Sequence, residues 1–193
     1  MMARFRRRGR GPVQRPVGEL MGRGLTRSAP AGDVAQQIAE LGGNRAVAER
    51  TGRSERTVRR WAQTGQIPTR GGAQGNFTQA VAEHRNTADF RQAQVGQRRE
   101  TRMRNNGARL RFQGIAGPTT DSPGASIKRR NIDFHLSGDA MGDILDAYYR
   151  GGEAAALDTL GDAMAREYMG DAQYGWHFEP SAGRLDFLRH RSF

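Results

Sequence analysis

Arg56, Arg59 and Arg60 are the side chains best placed for recognition chemistry, because the residues around them keep a definite spacing. Ala48, Gly52, Val58 and Trp61 fall where a helix-turn-helix needs them. Small Ala48 lets two helices approach, Gly52 supplies the sharp turn, and Val58 and Trp61 lock the second helix onto the first. Ser54 opens that second helix, and Glu55, Arg56, Arg59 and Arg60 are left on the outer face, where a recognition helix meets the major groove. Arginine there can bond guanine O6 and N7 bidentately or hold phosphate. The plainer alternative is a three-helix packing motif with a solvated charged face. A second set of groups is nucleophilic. The run GPTTDSPG at residues 117–124 reads as a loop carrying the Thr119 and Thr120 hydroxyls, followed by the cations Lys128, Arg129 and Arg130. From loop composition alone these threonines are turn residues, with Asp121 nucleating an Asx-turn.

The remaining groups build no active site of their own. His84, His135, His177 and His190 are scattered, and no pair has helical ligand spacing. Asp139, Asp143 and Asp146 lie on one face of a helix, a row that could chelate a cation but more often is a solvated face. Gly71-Gly72 lacks the strand-to-helix setting of a phosphate loop. No Ser/His/Asp arrangement is arguable, and there is no cysteine. The sequence therefore predicts no catalytic residue, no metal and no cofactor.

The elements that carry these groups are drawn from 193 residues with 26 glycines and 36% apolar residues, which favours two modest cores over one. Net charge is +11, from 31 basic residues against 20 acids. Its distribution is uneven: residues 1–27 carry 8 arginines and 1 acid, whereas residues 116–193 carry 8 basic residues and 12 acids. That asymmetry suits a polyanion-binding front and a differently employed back. No apolar run is long enough to span a membrane and no signal peptide is recognisable, so a cytoplasmic, nucleoid-associated protein is expected.

Residues 1–30 hold few apolar side chains and read as a disordered arginine-rich arm, with Arg6, Arg7, Arg8 and Arg10 as a non-specific clamp on phosphates. Residues 31–70 read as a helix-turn-helix domain of three helices, capped by Asp33, Asn44 and Ser54. Residues 71–106 are rich in glutamine, arginine and asparagine and read as a polar, basic helical linker. Residues 107–193 read as a small α+β domain. Within it Leu110, Phe112 and Ile115 mark one strand and Ile132, Phe134 and Leu136 another. A helix capped by Ser137 or Asp139 breaks at Gly151-Gly152, a further helix follows, and two terminal strands are joined by a turn at residues 180–183. The fold class is thus an N-terminal helical domain followed by an α+β domain.

The stretch GGNRAVAERTGRSERTVRRW (residues 42–61), an arginine-rich middle and an α+β tail together resemble the telomere-protecting terminal proteins (Tpg type) of actinobacterial linear chromosomes and plasmids. The tail's share lies in residues 110–112, the 117–121 loop, the basic strand 128–134, and the stretches 144–152, 165–168, 176–178 and 185–187. It spans roughly residues 33–193. The resemblance implies a protein that sits covalently on the 5′ end of a linear replicon and primes synthesis of that end from a hydroxyl side chain. A DNA polymerase would supply the chemistry and a telomere-associated protein would be a partner. Thr119 or Thr120 would accept the nucleotide, with Ser122, Ser126 and Tyr149 in reserve. The competing reading is a helix-turn-helix transcriptional regulator, or a plasmid replication or partition factor, whose tail self-associates or senses a ligand.

Overall fold

The computed structural model describes residues 20–26, 33–119, 127–170, 175–179 and 184–188. Among them are eight α-helices and a four-stranded antiparallel sheet. The predicted clamp residues Arg6, Arg7, Arg8 and Arg10 lie outside the described residues, as do Thr120, Ser122 and Ser126.

Three short helices open the first core. Asp33 accepts the Gln36 N–H at 2.8 Å and starts α2 (Val34–Glu40). The second, α3, spans Gly43–Thr51, so it begins one residue before the expected cap Asn44. Gly52 follows it with φ 65°, a left-handed turn that a side chain would strain. Ser54 accepts the Thr57 N–H at 3.3 Å and starts α4 (Glu55–Thr64). Ile38, Leu41, Val47, Val58 and Trp61 meet between these helices.

The expected linker is a structural part of both cores. A 3₁₀ turn (Arg70–Gly72) leads into α5 (Ala73–Arg85), whose Ala73, Phe77, Ala80 and Val81 complete the first core. Phe77 meets Trp61 edge-on with ring centres 6.3 Å apart. Arg85 grips the Glu40 carboxylate through Nε and a terminal nitrogen, at 2.7 and 3.0 Å, tying α5 to α2. Thr87 caps α6 (Ala88–Val95), and α7 (Gln97–Asn106) follows. Their Val95 and Met103 belong to the second core. Sparse apolar residues at helical spacing suffice, because each helix buries only one narrow stripe.

The second core sits under a sheet built on one long central strand. β1 (Ala108–Thr119) pairs along Ala108–Ala116 with β2 (Lys128–Leu136), from Ala108 opposite Leu136 to Ala116 opposite Lys128. Leu110, Phe112, Gly114 and Ala116 occupy the covered face, while Ile115 is half-buried on the other. The expected loop at residue 117 starts later, since Gly117, Pro118 and Thr119 pair with His177, Trp176 and Gly175. The terminal strands β3 (Gly175–Phe178) and β4 (Arg184–Leu188) do not form a hairpin with each other. Both lie antiparallel to β1, β3 beside residues 116–119 and β4 beside residues 109–113, so they are two pieces of one interrupted strand.

Helix α8 (Gly138–Ala163), capped by Ser137, lies against this sheet. The helical path breaks at Gly152 (φ 72°, ψ −150°), as the Gly151-Gly152 pair leads one to expect, so two helical pieces meet there at a kink. A kink frees carbonyls from the helical ladder, and these need new donors. The Arg91 guanidinium supplies them, reaching the Tyr149 and Tyr148 carbonyls at 3.1 and 3.4 Å. The helix ends in a single π turn (Met164–Tyr168). Part of the expected disordered arm is also ordered: α1 (Leu20–Thr26) buries Met21 and Leu25 fully in the second core. The Met21 N–H donates to Glu153, and Arg99 donates to the carbonyls of Gly24 (2.8 Å) and Phe187 (3.1 Å), fastening α1 to β4. The sequence misses α1 because two buried side chains in a glycine- and arginine-rich stretch carry no periodicity. No helix among the described residues is long and apolar enough to cross a membrane.

Candidate nucleic-acid interface

Helix α4 is buried on one side through Val58 and Trp61 and exposes Glu55, Arg56, Arg59, Arg60 and Gln63 on the other. The two sides are separated because the apolar residues sit three apart on the helix, facing α3 and α5. Arg56, Arg60, Gln63, Gln66, Ile67 and Pro68 line an open groove of about 880 Å³ beside this helix. Ser54 spends its hydroxyl on the cap and on Thr57, whose hydroxyl is 2.8 Å away.

Ion pairing divides the arginines of this unit into two groups. Arg45 pairs with Glu49 at 3.1 Å, Arg59 with Glu55 at 3.4 Å, and Arg85 with Glu40. Arg50, Arg56, Arg60 and Arg70 are exposed and have no acidic partner among the described residues. Arg53 donates to the Gly71 carbonyl at 2.5 Å, which draws the 3₁₀ turn, and Arg70 with it, toward the α3–α4 turn. The result is a positive surface on α4 and the turn beside it, where Arg56 and Arg60 are legible from helical spacing and Arg53 and Arg70 are not. The glycine pair at 71–72 was the only signal for that turn.

The tail's predicted contacts are unequal. Lys128 and Arg129 are exposed at the start of β2. Arg130 is half-buried, donates from Nε to the Ala116 carbonyl at 3.0 Å, and lies over the Trp176 ring at 5.4 Å. Thr119 ends β1 opposite Gly175, with its backbone in the ladder. Tyr149 does not serve as an exposed hydroxyl: it is buried, and burial pushes it far above the ordinary tyrosine range, with the neighbouring Glu100 carboxylate adding to the rise. The aspartate row is largely engaged by arginine, Asp146 with Arg104 at 2.5 Å and Asp143 with Arg166 at 3.8 Å. Among the described residues no group of three His, Asp or Glu side chains could hold a metal ion.

Comparison with known proteins brings nothing similar to this chain: no family model, curated protein or solved structure matches it.

Proposed function

We propose that this chain binds DNA through α3 and α4, used as a helix-turn-helix with α4 as the recognition helix. The observation that carries the reading is the exposed face of α4, where Arg56 and Arg60 stand beside an open groove with no acidic partner among the described residues. A solvated helix face in an ordinary three-helix unit tends to alternate charges and pair them, as Arg45–Glu49 does on α3. Unpaired arginines beside a concave surface favour a polyanion.

Within that reading, the resemblance set out above supports a terminal protein that caps the 5′ ends of a linear replicon and primes end synthesis, bound to telomeric duplex or folded single strands. The Oγ of Thr119 or Thr120 would attack the α-phosphorus of an incoming deoxynucleoside triphosphate. An Oγ–P bond forms, the bond to the β-phosphate breaks, pyrophosphate leaves, and the hydroxyl proton passes to the polymerase site. The partner polymerase and its metal ions supply activation, so this chain needs no base or cofactor of its own. Arg130, already held by Ala116 and Trp176, would be the anchored member of the tail's basic strand, with Lys128 and Arg129 able to reach phosphate. A telomere-associated protein would be the second partner.

Incubation with a DNA polymerase, template and labelled nucleotide tests the priming role. Label on the protein, mapped to residues 117–126 and lost in a Thr119→Val/Thr120→Val double variant, is the expected result. Label retained by that variant places the attachment elsewhere. Absence of label, with footprinting of a palindromic duplex having half-sites about 34 Å apart, favours the regulator reading instead.

A further inference from the structure

The far end of α8 carries a constellation that duplex recognition by α4 does not use. Its closing π turn is marked by the Met169 N–H donating to the Met164 carbonyl at 3.2 Å. Such wide turns recur at functional sites, because the extra residue re-aims the side chains that follow. Here Glu167 anchors the turn by accepting from the Ser137 N–H at 2.9 Å and from the Ser137 hydroxyl at 2.5 Å. The next residue, Tyr168, is left 47% exposed, one of only three large apolar side chains so exposed among the described residues.

Tyr168 is supported from behind. Its ring meets Phe134 of β2 edge-on at 5.2 Å and Trp176 of β3 edge-on at 5.7 Å. Arg130 lies over Trp176, and the two residues preceding Arg130 on β2 are the exposed cations Lys128 and Arg129. The Trp176 Nε1 is buried and has no hydrogen-bond partner among the described residues. Met169, 38% exposed, borders the same ring in sequence.

An exposed aromatic ring fixed edge-on by two others, with arginine and lysine at hand, is the chemistry that holds unstacked bases. The ring offers a face to any base and the cations follow the phosphates. Paired bases in a duplex offer no free face for such stacking. We infer that Tyr168, backed by Phe134, Trp176 and Arg130, with Lys128 on the same face of β2 as Phe134 and Arg130, is a stacking site for single-stranded nucleic acid. The inference rests on the reading of the Lys128–Arg130 strand as a nucleic-acid contact and is independent of α4.

The test uses the full chain and a fluorescein-labelled oligothymidylate of about fifteen nucleotides, a length within the usual single-strand site size, with binding followed by anisotropy. Tyr168→Ala and Tyr168→Leu should each weaken binding roughly 5- to 150-fold, the usual worth of one stacked base, whereas Tyr168→Phe should bind as the parent does. Because leucine keeps apolar contact with Phe134 and Trp176, the Leu variant separates stacking from folding. Lys128→Ala should reduce the slope of log affinity against log salt by about 0.7, whereas Arg129→Ala, on the other face of the sheet, should leave the Tyr168 effect unchanged. The Tyr168 effect should persist in an Arg56→Ala/Arg60→Ala background, which strips the α4 face, so failure of the duplex reading would not hide it. Parental affinity in folded Tyr168→Ala and Tyr168→Leu overturns the inference. So does a change in sedimentation without a change in affinity, which would mark a protein contact.

Discussion

Arginines that look equivalent along α4 differ in what already holds them, and this sets how each should respond to substitution. Arg56 and Arg60 face solvent with no acid paired to them among the described residues, whereas Arg59 shares Glu55. Arg56→Ala should weaken duplex binding by about 1–3 kcal/mol if it reads a base, and titration of a selected duplex by anisotropy measures this. Glu55→Gln should act oppositely. It removes a negative charge from the face proposed to meet DNA and releases Arg59 from a pair worth about 0.3–0.5 kcal/mol, so affinity should rise and the salt slope steepen by about 0.9. A weakened Glu55→Gln complex would instead show that Glu55 accepts a bond from the bases. On the sheet, Arg109 holds the Asp133 carboxyl below its ordinary range through hydrogen bonds at 2.5 and 2.8 Å, and Arg111 assists. A carboxylate lowered in this way adds stability above its unfolded value of about 3.9 and loses it as pH falls through the folded value. Denaturant unfolding should therefore separate parent from Asp133→Asn at pH 7 and pH 5, and the gap should close in more acidic buffer.

At the scale of elements, α1 changes what the N-terminal stretch does. Removing residues 1–19 takes away Arg6, Arg7, Arg8 and Arg10 and should flatten the salt dependence of binding without moving the unfolding midpoint. Extending the deletion through residue 27 removes Met21 and Leu25 from the second core. Thermal unfolding should then show a large loss, since truncating a buried side chain of this size to Ala costs about 2–5 kcal/mol. Gly161→Ala makes a matching test where α8 crosses β3, because its added carbon would meet the backbone carbonyl of Trp176. Such overpacking costs about 1–3 kcal/mol. These elements also show how far the sequence reaches. Helices α2 to α4 are legible because caps, glycine stops and apolar spacing agree, and β1 and β2 because their alternation is clean. The helical character of residues 71–106 is legible, but the core role of α5 is hidden by the glutamine and asparagine around Phe77. The direction of β4 is not encoded locally, since the composition before it signals a turn but not which neighbour the returning strand will pair with.

For the whole molecule, two cores imply two reporters. Trp61 lies in the helical core and Trp176 against the sheet. Trp61→Phe and Trp176→Phe variants, each leaving one emitter, should give denaturation curves with different midpoints if the cores unfold as separate units. Coincident curves would mean the α5–α6 junction couples them into one. The candidate interface follows the same division of legibility. Arg56 and Arg60 are readable from helical spacing within one element. Arg53, Arg70 and Tyr168 acquire their settings only when the 3₁₀ turn closes, or when Phe134 and Trp176 converge on the π turn.

The fastening of α1 to β4 also has a consequence for how the chain is made. Synthesis delivers residues 33–85 as a consecutive block, and every partner in the helical core lies within it. The sheet core closes only when Phe187 emerges to meet a helix finished long before, with Arg99 joining Gly24 to Phe187. Closing so long a loop carries a large entropic cost before any contact offsets it. During translation the first core can therefore be ready while Met21 and Leu25 still await their cover. Ribosome-stalled chains ending before residue 184 should expose them to proteases, while released chains that carry β4 protect them. Strand β4 thereby acts as a late seal over a helix made long before it.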